Sequence, residues 1–242
     1  MKKVNIIGSG FSSLSAACHL AKRGFEVEVF EKNSTLGGRA RQFKQDGFTF
    51  DMGPSWYWMP DVFERFFEGF GKKVSDYYKL ERLDPGYQVV FGKDDVFPVY
   101  DSIEKIADRF EMEEKGSGRK LISFLNQAKR NYDVAIDDLV YKPGVSPLEL
   151  VTPVTVKNVG LFLTNVRKQV ERDFKSPKLR SLLQFPVLFL GAKPEQTPAF
   201  YNFMNYADFG LGTWHPKGGM IQIVNAMVSL AKELGVRFHT DA

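Results

Sequence analysis

The sequence predicts an α/β fold that begins with a strand, a helix and a second, parallel strand. A short apolar run at residues 4–7 is followed at once by the turn Gly8-Ser9-Gly10, and a helical pattern then extends to Arg23. A second run, at residues 26–30, alternates charged and apolar side chains and ends at the acid Glu31. A strand, glycine turn, helix, strand and acid in this order are typical of a Rossmann-like unit that binds a dinucleotide.

The glycine turn supplies what a bound pyrophosphate needs. Gly8 allows a tight turn out of the first strand, and Gly10 has no side chain to keep phosphates from the backbone. The helix that follows directs its N-terminal N–H groups and its dipole at that charge. Ser13 stands where a third glycine is common, and it is small enough for close packing of helix on strand. The candidate pyrophosphate contacts are Gly8, Ser9, Gly10, Phe11, Ser12 and Ser13.

The acid at the end of the second strand predicts a ribose contact. Glu31 lies about 20 residues after the turn, where a carboxylate accepts hydrogen bonds from a ribose diol. The same carboxylate would repel a 2′-phosphate, and Lys32 beside it is a further candidate contact. The alternative, a glycine-rich turn in some other α/β protein, is disfavoured by the order of strands, helix and acid.

A second glycine segment follows the acid and indicates which kind of dinucleotide the chain binds. Leu36-Gly37-Gly38-Arg39 comes soon after Glu31, and Gly53-Pro54-Ser55 comes after a hairpin pattern. The first of these resembles a segment of the flavoproteins that include amine oxidases, protoporphyrinogen oxidases and carotenoid desaturases. In that group Gly37 and Gly38 would let the backbone approach the cofactor phosphates, and Arg39 would add charge and hydrogen bonds. The alternative is an ordinary turn with Arg39 as a solvated cation.

Local signals predict the elements that come next. The Asp46-Gly47 turn joins two alternating runs in residues 41–50, and a second hairpin is predicted in residues 88–100. Trp56-Tyr57-Trp58-Met59-Pro60 is predicted to be an exposed aromatic cluster, with Asp61 capping the helix after it. Asp101 with Glu104 is a predicted capping box for a further helix.

Three regions are predicted along the chain. Residues 1–110 form the first part of the dinucleotide-binding domain, residues 111–209 a mainly helical insert, and residues 210–242 a return to the domain through a helix and a strand. Within the insert, apolar residues near Val159 precede a group of cations that ends at Arg180. Apolar surface beside cations suits a monotopic membrane contact. The alternative is core packing beside a solvated basic face.

Composition restricts the classes of function. The net charge is +4 with no basic block, so a nucleic-acid partner is not expected. Cys18 is the only cysteine, which excludes an intrachain disulfide and favours a reducing compartment. The 3 histidines are too scattered along the sequence to predict a metal site. No apolar run reaches the roughly 20 residues of a membrane-spanning helix, so we expect a cytoplasmic protein associated peripherally with membrane.

Taken together, these segments resemble the phytoene desaturase family of carotenoid biosynthesis, of the bacterial and fungal type. The resemblance covers essentially the whole chain and is weakest in the helical insert. Its most discriminating segment is Gly212-Thr213-Trp214-His215-Pro216-Lys217-Gly218-Gly219-Met220. The other segments that carry it are Gly8-Ser9-Gly10, Glu31-Lys32, Leu36-Gly37-Gly38-Arg39-Ala40 and Asp51-Met52-Gly53-Pro54-Ser55.

The resemblance implies a cofactor, a substrate class and a reaction. Members of the family bind FAD noncovalently, and Gly53, Pro54 and Ser55 would lie towards its flavin end. The substrate is a long isoprenoid hydrocarbon, which loses hydrogens with hydride transfer to the flavin, and oxygen or a quinone then reoxidises the cofactor. No catalytic residue is assigned. Because family members are about twice as long, the 242-residue chain alone is expected to be inactive and to retain flavin weakly.

Two other functional classes remain open at this point. One is a different flavin enzyme on the same scaffold, such as a carotenoid isomerase, a ketolase-like enzyme or an amine oxidase. The other is a non-catalytic carrier of prenyl lipids, similar to the Rab GDP-dissociation inhibitors. The glycine turn, Glu31 and Arg39 favour a nucleotide-binding protein over such a carrier.

Overall fold

The structure is a computed structural model and describes residues 2–146, 149, 151–157 and 159–242. The chain divides into two compact units, one of residues up to Glu81 together with Trp214–Ala242, and one of Arg82–Thr213. The α/β fold class is therefore found with a discontinuous first unit. The predicted functional regions, residues 1–110, 111–209 and 210–242, differ in bounds from these units, and their division by function stays a prediction.

The described elements are numbered in chain order. The strands are β1 (Lys3–Ile7), β2 (Glu26–Phe30), β3 (Gln42–Gln45), β4 (Phe48–Asp51), β5 (Leu80–Arg82), β6 (Tyr87–Gly92), β7 (Asp95–Val99), β8 (Trp214–Pro216) and β9 (Arg237–His239). The α-helices are α1 (Phe11–Lys22), α2 (Pro60–Glu68), α3 (Ile103–Glu113), α4 (Ser117–Asp137), α5 (Pro153–Lys157), α6 (Val159–Leu163), α7 (Val166–Asp173), α8 (Pro177–Gln184), α9 (Phe203–Asn205) and α10 (Ile221–Glu233).

The first unit is built on a parallel sheet with the strand order β1-β2-β9. Helix α1 connects β1 to β2, and Gly24 ends this connection with a φ of +84° that favours glycine. The strands end together, since Ile7 is the register partner of Phe30 and Phe30 that of His239. The predicted strand–turn–helix–strand order is thus confirmed, and it brings the ends of β1 and β2 to one edge of the sheet.

The core of the first unit lies between this sheet and the helices α1 and α10, which contact each other. Apolar side chains recur at helical spacing on both helices, and Val27 and Val29 of β2 complete the core. The buried side chains of the two helices include Leu14, Ala17, Cys18, Ile223, Val224, Met227, Leu230 and Ala231. Packing of α10 against α1 explains why a helix from the far end of the chain belongs to this unit.

Three local predictions are wrong: two concern the residue that caps a helix, and one concerns the exposure of an aromatic cluster. Helix α2 begins at Pro60 after Met59 in the left-handed region, so Asp61 lies in the first turn and does not cap the helix. Ser102 caps α3 by accepting a hydrogen bond from the Lys105 N–H, one residue after the predicted cap. The aromatic cluster is not exposed, because Tyr57 is buried and both Trp56 and Trp58 are half-buried.

The second unit combines the β6–β7 hairpin with a set of helices. Part of its core is aromatic: the Phe110 ring lies 5.7 Å from Phe97, 5.9 Å from Phe174 and 6.4 Å from Phe209 between centroids. This packing accounts for some of the 22 phenylalanines of the chain. Within the described residues, no helix is long and apolar enough to cross a membrane.

Candidate dinucleotide-binding site

A cavity of about 820 Å³ opens at the carboxyl ends of β1 and β2. Ligands of open α/β sheets bind at this edge, because the loops that follow the strands meet there. Both strand ends contribute apolar side chains, Ile7 and Phe30. The cavity is lined by Ile7, Gly8, Ser9, Gly10, Phe30, Glu31, Lys32, Asn33, Gly38, Arg39, Arg41, Met52, Gly53 and Ala242.

The two glycine segments meet at the floor of this cavity. Gly8 has a φ of +89°, and its N–H donates to the Phe30 carbonyl at 2.7 Å, which fixes the turn out of β1. A Cβ atom on Gly38 would lie 3.2 Å from the Gly10 Cα, closer than an ordinary contact. A Cβ on Gly10 itself would meet nothing within 4 Å, which leaves space beside its backbone for a ligand. Glycine is therefore needed at Gly38 for close approach of the two loops.

Glu31 is buried and accepts hydrogen bonds at both carboxylate oxygens. Its Oε2 accepts from the Ser9 N–H at 3.0 Å and from the Ser9 hydroxyl at 2.6 Å. Its Oε1 accepts from the Asn33 N–H at 3.0 Å and from the Asn33 side-chain amide at 2.5 Å. The bond from the Ser9 hydroxyl contributes most to holding the pKa of Glu31 below its ordinary value. The carboxylate is thus ionised at neutral pH and organises the turn that precedes it.

Ser9 also connects the acid to the second glycine segment. The Gly37 N–H donates to the Ser9 hydroxyl at 3.1 Å and lies at the same distance from the Ser9 carbonyl oxygen. Gly37 is buried behind the cavity, where an added Cβ would lie 3.0 Å from both methyl carbons of Val224. Its role is close packing against α10, whereas Gly38 faces the cavity.

The turn after β4 reaches the same place from a different direction. An added Cβ on Gly53 would lie 2.5 Å from the Arg39 carbonyl oxygen, so only glycine fits there. The preceding Asp51 accepts hydrogen bonds from the Met220 N–H at 2.8 Å and the Ile221 N–H at 3.3 Å, at the start of α10. The segments at residues 51–55 and 218–220 are therefore joined by a carboxylate that caps a helix.

The structure brings some of the predicted site residues into the cavity and leaves others outside it. Those that line it are Gly8, Ser9, Gly10, Glu31, Lys32, Gly38, Arg39 and Gly53. Those that do not line it are Phe11, Ser12, Ser13, Gly37, Pro54 and Ser55. Phe11 instead packs on the Phe63 ring, with 6.4 Å between centroids. A role of these residues in cofactor binding stays a prediction.

Sequence reasoning missed several lining residues. Ile7 and Phe30 end the paired strands, and their position alone could have indicated them. Asn33 lies two residues after Glu31 and binds it, a local pattern that was also available in the sequence. Arg41 and Met52 carry no such signal, because folding of the β3–β4 hairpin places them at the cavity.

The charges of the lining residues suit an anionic ligand. Lys32, Arg39 and Arg41 are the cations among them, and Glu31 is the acid. The carboxylate is engaged by Ser9 and Asn33, so the cations dominate the field inside the cavity. Among the described residues there is no group of three or more side chains that could hold a metal ion.

Comparison with known proteins shows which families and sequences this chain resembles. The family described as an NAD(P)-binding Rossmann-like domain matches residues 6–71, which include the glycine turn, Glu31 and Gly38. A carotenoid 3,4-desaturase from Haloarcula japonica is 44% identical over 242 residues, or 99% of this chain and 49% of the relative. A zeta-carotene-forming phytoene desaturase from Myxococcus xanthus is 34% identical over 100% of this chain and 47% of its own length.

The chain is homologous to the carotenoid desaturases. It spans about half the length of the relatives it matches. A solved structure of a Rab GDP-dissociation inhibitor from Plasmodium falciparum has a TM-score of 0.60 and 12% identity, covering 99% of this chain and 58% of that one. At this identity the likeness is one of fold. The predicted resemblance to carotenoid desaturases is confirmed by the sequence relatives.

Proposed function

We propose that this chain is part of an FAD-dependent carotenoid desaturase, of the phytoene desaturase type. The observation that carries the proposal is the cavity at the ends of β1 and β2, where both glycine loops, Glu31 and Arg39 meet. The homology to carotenoid desaturases supports the same reaction for the whole protein. The proposed substrate is a long isoprenoid hydrocarbon that loses hydrogens from adjacent carbons.

The residues of the first unit fit the ADP half of FAD. The backbone beside Gly10 is open to a pyrophosphate, and Arg39 and Arg41 would neutralise its charge. The aliphatic and aromatic ends of the strands, Ile7 and Phe30, offer apolar contact to a nucleoside. When bound, FAD would accept the hydride that the hydrocarbon loses, whereas the protein binds and orients both molecules.

To bind the ribose, Glu31 would have to exchange one of its present hydrogen bonds for a bond from a ribose hydroxyl. Its two oxygens already accept four hydrogen bonds, which is about the capacity of a carboxylate. Two of these donors are side chains, and the Ser9 hydroxyl also accepts a bond from the Gly37 N–H. The amide of Asn33 is therefore the donor that can turn away with the least loss, and Asn33 also lines the cavity. A ribose hydroxyl would therefore replace the Asn33 amide at Oε1, while Ser9 keeps its bonds to Oε2.

Peripheral contact with a membrane is part of the proposal, because an isoprenoid hydrocarbon dissolves in lipid. In the second unit, three consecutive apolar residues stand out from the surface: Leu188, Phe189 and Leu190 are 51%, 55% and 42% exposed. We call residues 188–190 the apolar tip. Exposed apolar side chains of this kind insert into the boundary between headgroups and acyl chains.

The cations of the predicted membrane segment support this contact less than their number indicates. Arg167 forms ion pairs with Glu171 and Glu195, and Arg172 pairs with Asp173. Their charge is therefore compensated locally, and apolar insertion carries the proposed contact. The electron acceptor, oxygen or a quinone, is proposed from the resemblance alone.

Cofactor binding is tested by titrating the 242-residue chain with FAD and following flavin fluorescence. Gly38→Ala should weaken binding, because its Cβ would press on Gly10. Gly47→Ala is the matched control, since Gly47 also has positive φ, at +81°, but its Cβ would meet nothing within 4 Å. Equal affinity of both variants and the parent chain, or binding of NADPH in place of FAD, would contradict the assignment.

The reaction is tested with a chimera, because the chain spans half of its relatives. Residues 1–242 would replace the matching segment of the Haloarcula japonica carotenoid 3,4-desaturase, in a host that makes the carotenoid precursor. We expect pigments with additional double bonds from the chimera and none from its Gly38→Ala form. A folded chimera that binds FAD and leaves the pigments unchanged would contradict the desaturase function alone.

A further inference from the structure

Asn205 and Asp208 are buried polar side chains in the second unit, at 0% and 1% exposure. Both side-chain atoms of Asn205, Nδ2 and Oδ1, have no hydrogen-bond partner among the described residues, and neither does Oδ1 of Asp208. The other oxygen of Asp208 accepts a hydrogen bond of 2.5 Å from the Tyr87 hydroxyl. Three unsatisfied polar atoms thus occur on two side chains three residues apart.

This concentration is unusual, because buried polar atoms in folded proteins are nearly always hydrogen-bonded. Asn205 ends α9, and Asp208 lies in the π-helical turn Tyr206–Gly210 that follows directly. Turns of this type are rare and occur frequently at functional sites, since the widened backbone displaces side chains from regular helical positions. The neighbouring Asn202 is also buried, but it is satisfied by Asn131 and two glutamines.

The chemistry of the pair indicates what it would bind. Burial raises the pKa of Asp208 to about 8, against the opposing effect of the hydrogen bond from Tyr87. Lys129, on the adjacent α4, lies over the Tyr206 ring and pairs with Asp133, so it does not compensate Asp208. At neutral pH the pair therefore offers a carboxylic acid and an amide, which together donate and accept hydrogen bonds without net charge.

A path of aromatic rings leads from the surface to this pair. Phe189 of the apolar tip is 5.4 Å from the Phe185 ring, and Phe185 is 6.1 Å from the Tyr87 ring, between centroids. Tyr87 in turn binds Asp208. An apolar molecule that enters beside these rings would bring a polar end to the unsatisfied atoms.

We propose that Asn205 and Asp208 form a buried binding site for one neutral hydroxyl group. A hydroxyl both donates and accepts, which matches the acid and the amide. The hydroxyl belongs either to an internal water molecule or to the polar end of an apolar alcohol. This site is separate from the dinucleotide cavity and does not depend on the proposed function.

The sign of a stability change tests the site. Asn205→Leu replaces the amide with an apolar side chain of the same branching. If a hydroxyl is bound to the amide, the melting temperature falls by about 2–4 °C for each kcal/mol lost in a chain of this size. If no hydroxyl is bound to the amide, the same substitution raises the melting temperature, because a buried polar group without a hydrogen-bond partner is removed. Asn202→Leu is the matched control and should lower the melting temperature in either case, since it breaks the bond of 2.8 Å with Asn131.

Addition of a ligand distinguishes the two sources of the hydroxyl, an internal water and an apolar alcohol. Farnesol, an apolar alcohol, and farnesane, its saturated hydrocarbon, are compared for the rise in melting temperature that they cause. A fall with Asn205→Leu in the absence of ligand supports an internal water. A rise with Asn205→Leu, together with stabilisation of the parent chain by farnesol and not by farnesane, supports an alcohol ligand. A rise with no farnesol effect overturns the proposal.

Two further measurements keep the test decisive if Asn205→Leu fails to fold. Asp208→Asn keeps a neutral side chain that donates and accepts, so it should fold and melt close to the parent chain. Oxygen-17 relaxation dispersion on the parent chain detects a long-lived internal water directly. Absence of that signal, with no stabilisation by farnesol, overturns the site without any variant.

Discussion

The Ser9 hydroxyl donates a hydrogen bond of 2.6 Å to the Glu31 carboxylate, which joins the glycine turn to the acid at the end of β2. The same hydroxyl lies 3.1 Å from the Gly37 N–H, so one side chain connects the turn, the acid and the second glycine segment. All three segments were proposed as cofactor contacts. Their mutual bonds mean that the site is arranged before a dinucleotide binds, which lowers the entropic cost of binding.

Ser9→Ala should weaken FAD binding while the first unit stays folded. The substitution removes a bond to an ionised group and releases the Glu31 carboxylate on one side. A loss of about 1.4 kcal/mol in binding free energy corresponds to a tenfold larger dissociation constant. Hydrogen bonds to charged groups contribute about this much. Fluorescence titration measures the change. Ser75→Ala is the control, because Ser75 is an exposed serine of the same unit that does not line the cavity; equal losses in both variants would show that Ser9 has no special role.

Glu31→Gln should reduce FAD affinity more than Ser9→Ala does. One end of a glutamine side chain is an NH2 group, which cannot accept from Ser9 or Asn33 donors. We expect a loss of roughly 1.5–3 kcal/mol in binding, the range for hydrogen bonds to charged groups. Glu68→Gln, an exposed acid of the same unit, serves as control. Unchanged affinity of Glu31→Gln would remove Glu31 from the site.

Acid stability should depend on Glu28, which crosslinks the parallel sheet. Its carboxylate pairs with Lys3 at 2.6 Å, Arg237 at 2.7 Å and His239 at 2.7 Å, on the strands to either side. The hydrogen bond from Lys3, followed by that from Arg237, lowers the pKa of Glu28 from 4.5 to about 2.

The sign of the pH effect follows from the lowered pKa. Because the folded state holds the proton less tightly, Glu28 stabilises the fold above about pH 4.5, and this contribution is lost as the pH falls towards 2. Urea midpoints between pH 7 and 2 should therefore fall less steeply for Glu28→Gln than for the parent chain. Parallel curves for the two proteins would show that Glu28 does not titrate with folding.

Asp51→Ala should destabilise the first unit through the start of α10. The Asp51 carboxylate accepts from the Met220 and Ile221 N–H groups, which are otherwise left without helical partners. Removal of such a cap costs about 1 kcal/mol. Thermal unfolding measures this loss, and Asp51→Asn, which keeps one acceptor, should restore part of it. Thr49→Ala, at another exposed position of the same strand, is the control; a loss as large as that of Asp51→Ala would assign the effect to the hairpin.

The apolar tip should govern attachment to vesicles. Phe189→Asp places a charge where apolar insertion is proposed, and flotation with anionic liposomes should decrease several-fold. Val90→Asp is the matched control, because Val90 is 68% exposed on the β6–β7 hairpin of the same unit. Reversal of the paired Arg167 and Arg172 should change flotation less than Phe189→Asp does. A larger effect on flotation from reversal of the arginines than from Phe189→Asp would show that the cations carry the membrane contact.

Part of the site was predictable because its signals are local. The apolar run before Gly8, the helical spacing after it and the position of Glu31 follow from backbone propensity and periodicity. The backbone at Gly38 was predicted to approach cofactor phosphates, but the close contacts of Gly38 with Gly10 and of Gly53 with Arg39 could not be predicted, since they depend on how separate loops meet. Capping residues one position apart, such as Asp101 and Ser102, are not distinguished by sequence, because both types accept hydrogen bonds from a helix start.

The sequence by itself determined the order β1-α1-β2, the glycine turn and the acid at its end, because these depend on residues close to one another along the chain. Only the tertiary structure decided the bonds from Ser9 to Glu31, the placement of Arg41 and Met52 at the cavity, and the cap that Asp51 supplies to α10. It likewise decided that Asn205 and Asp208 are buried without sufficient partners among the residues that the structure describes. Such contacts join residues that are distant in sequence, and they depend on how whole elements pack, which no local pattern encodes.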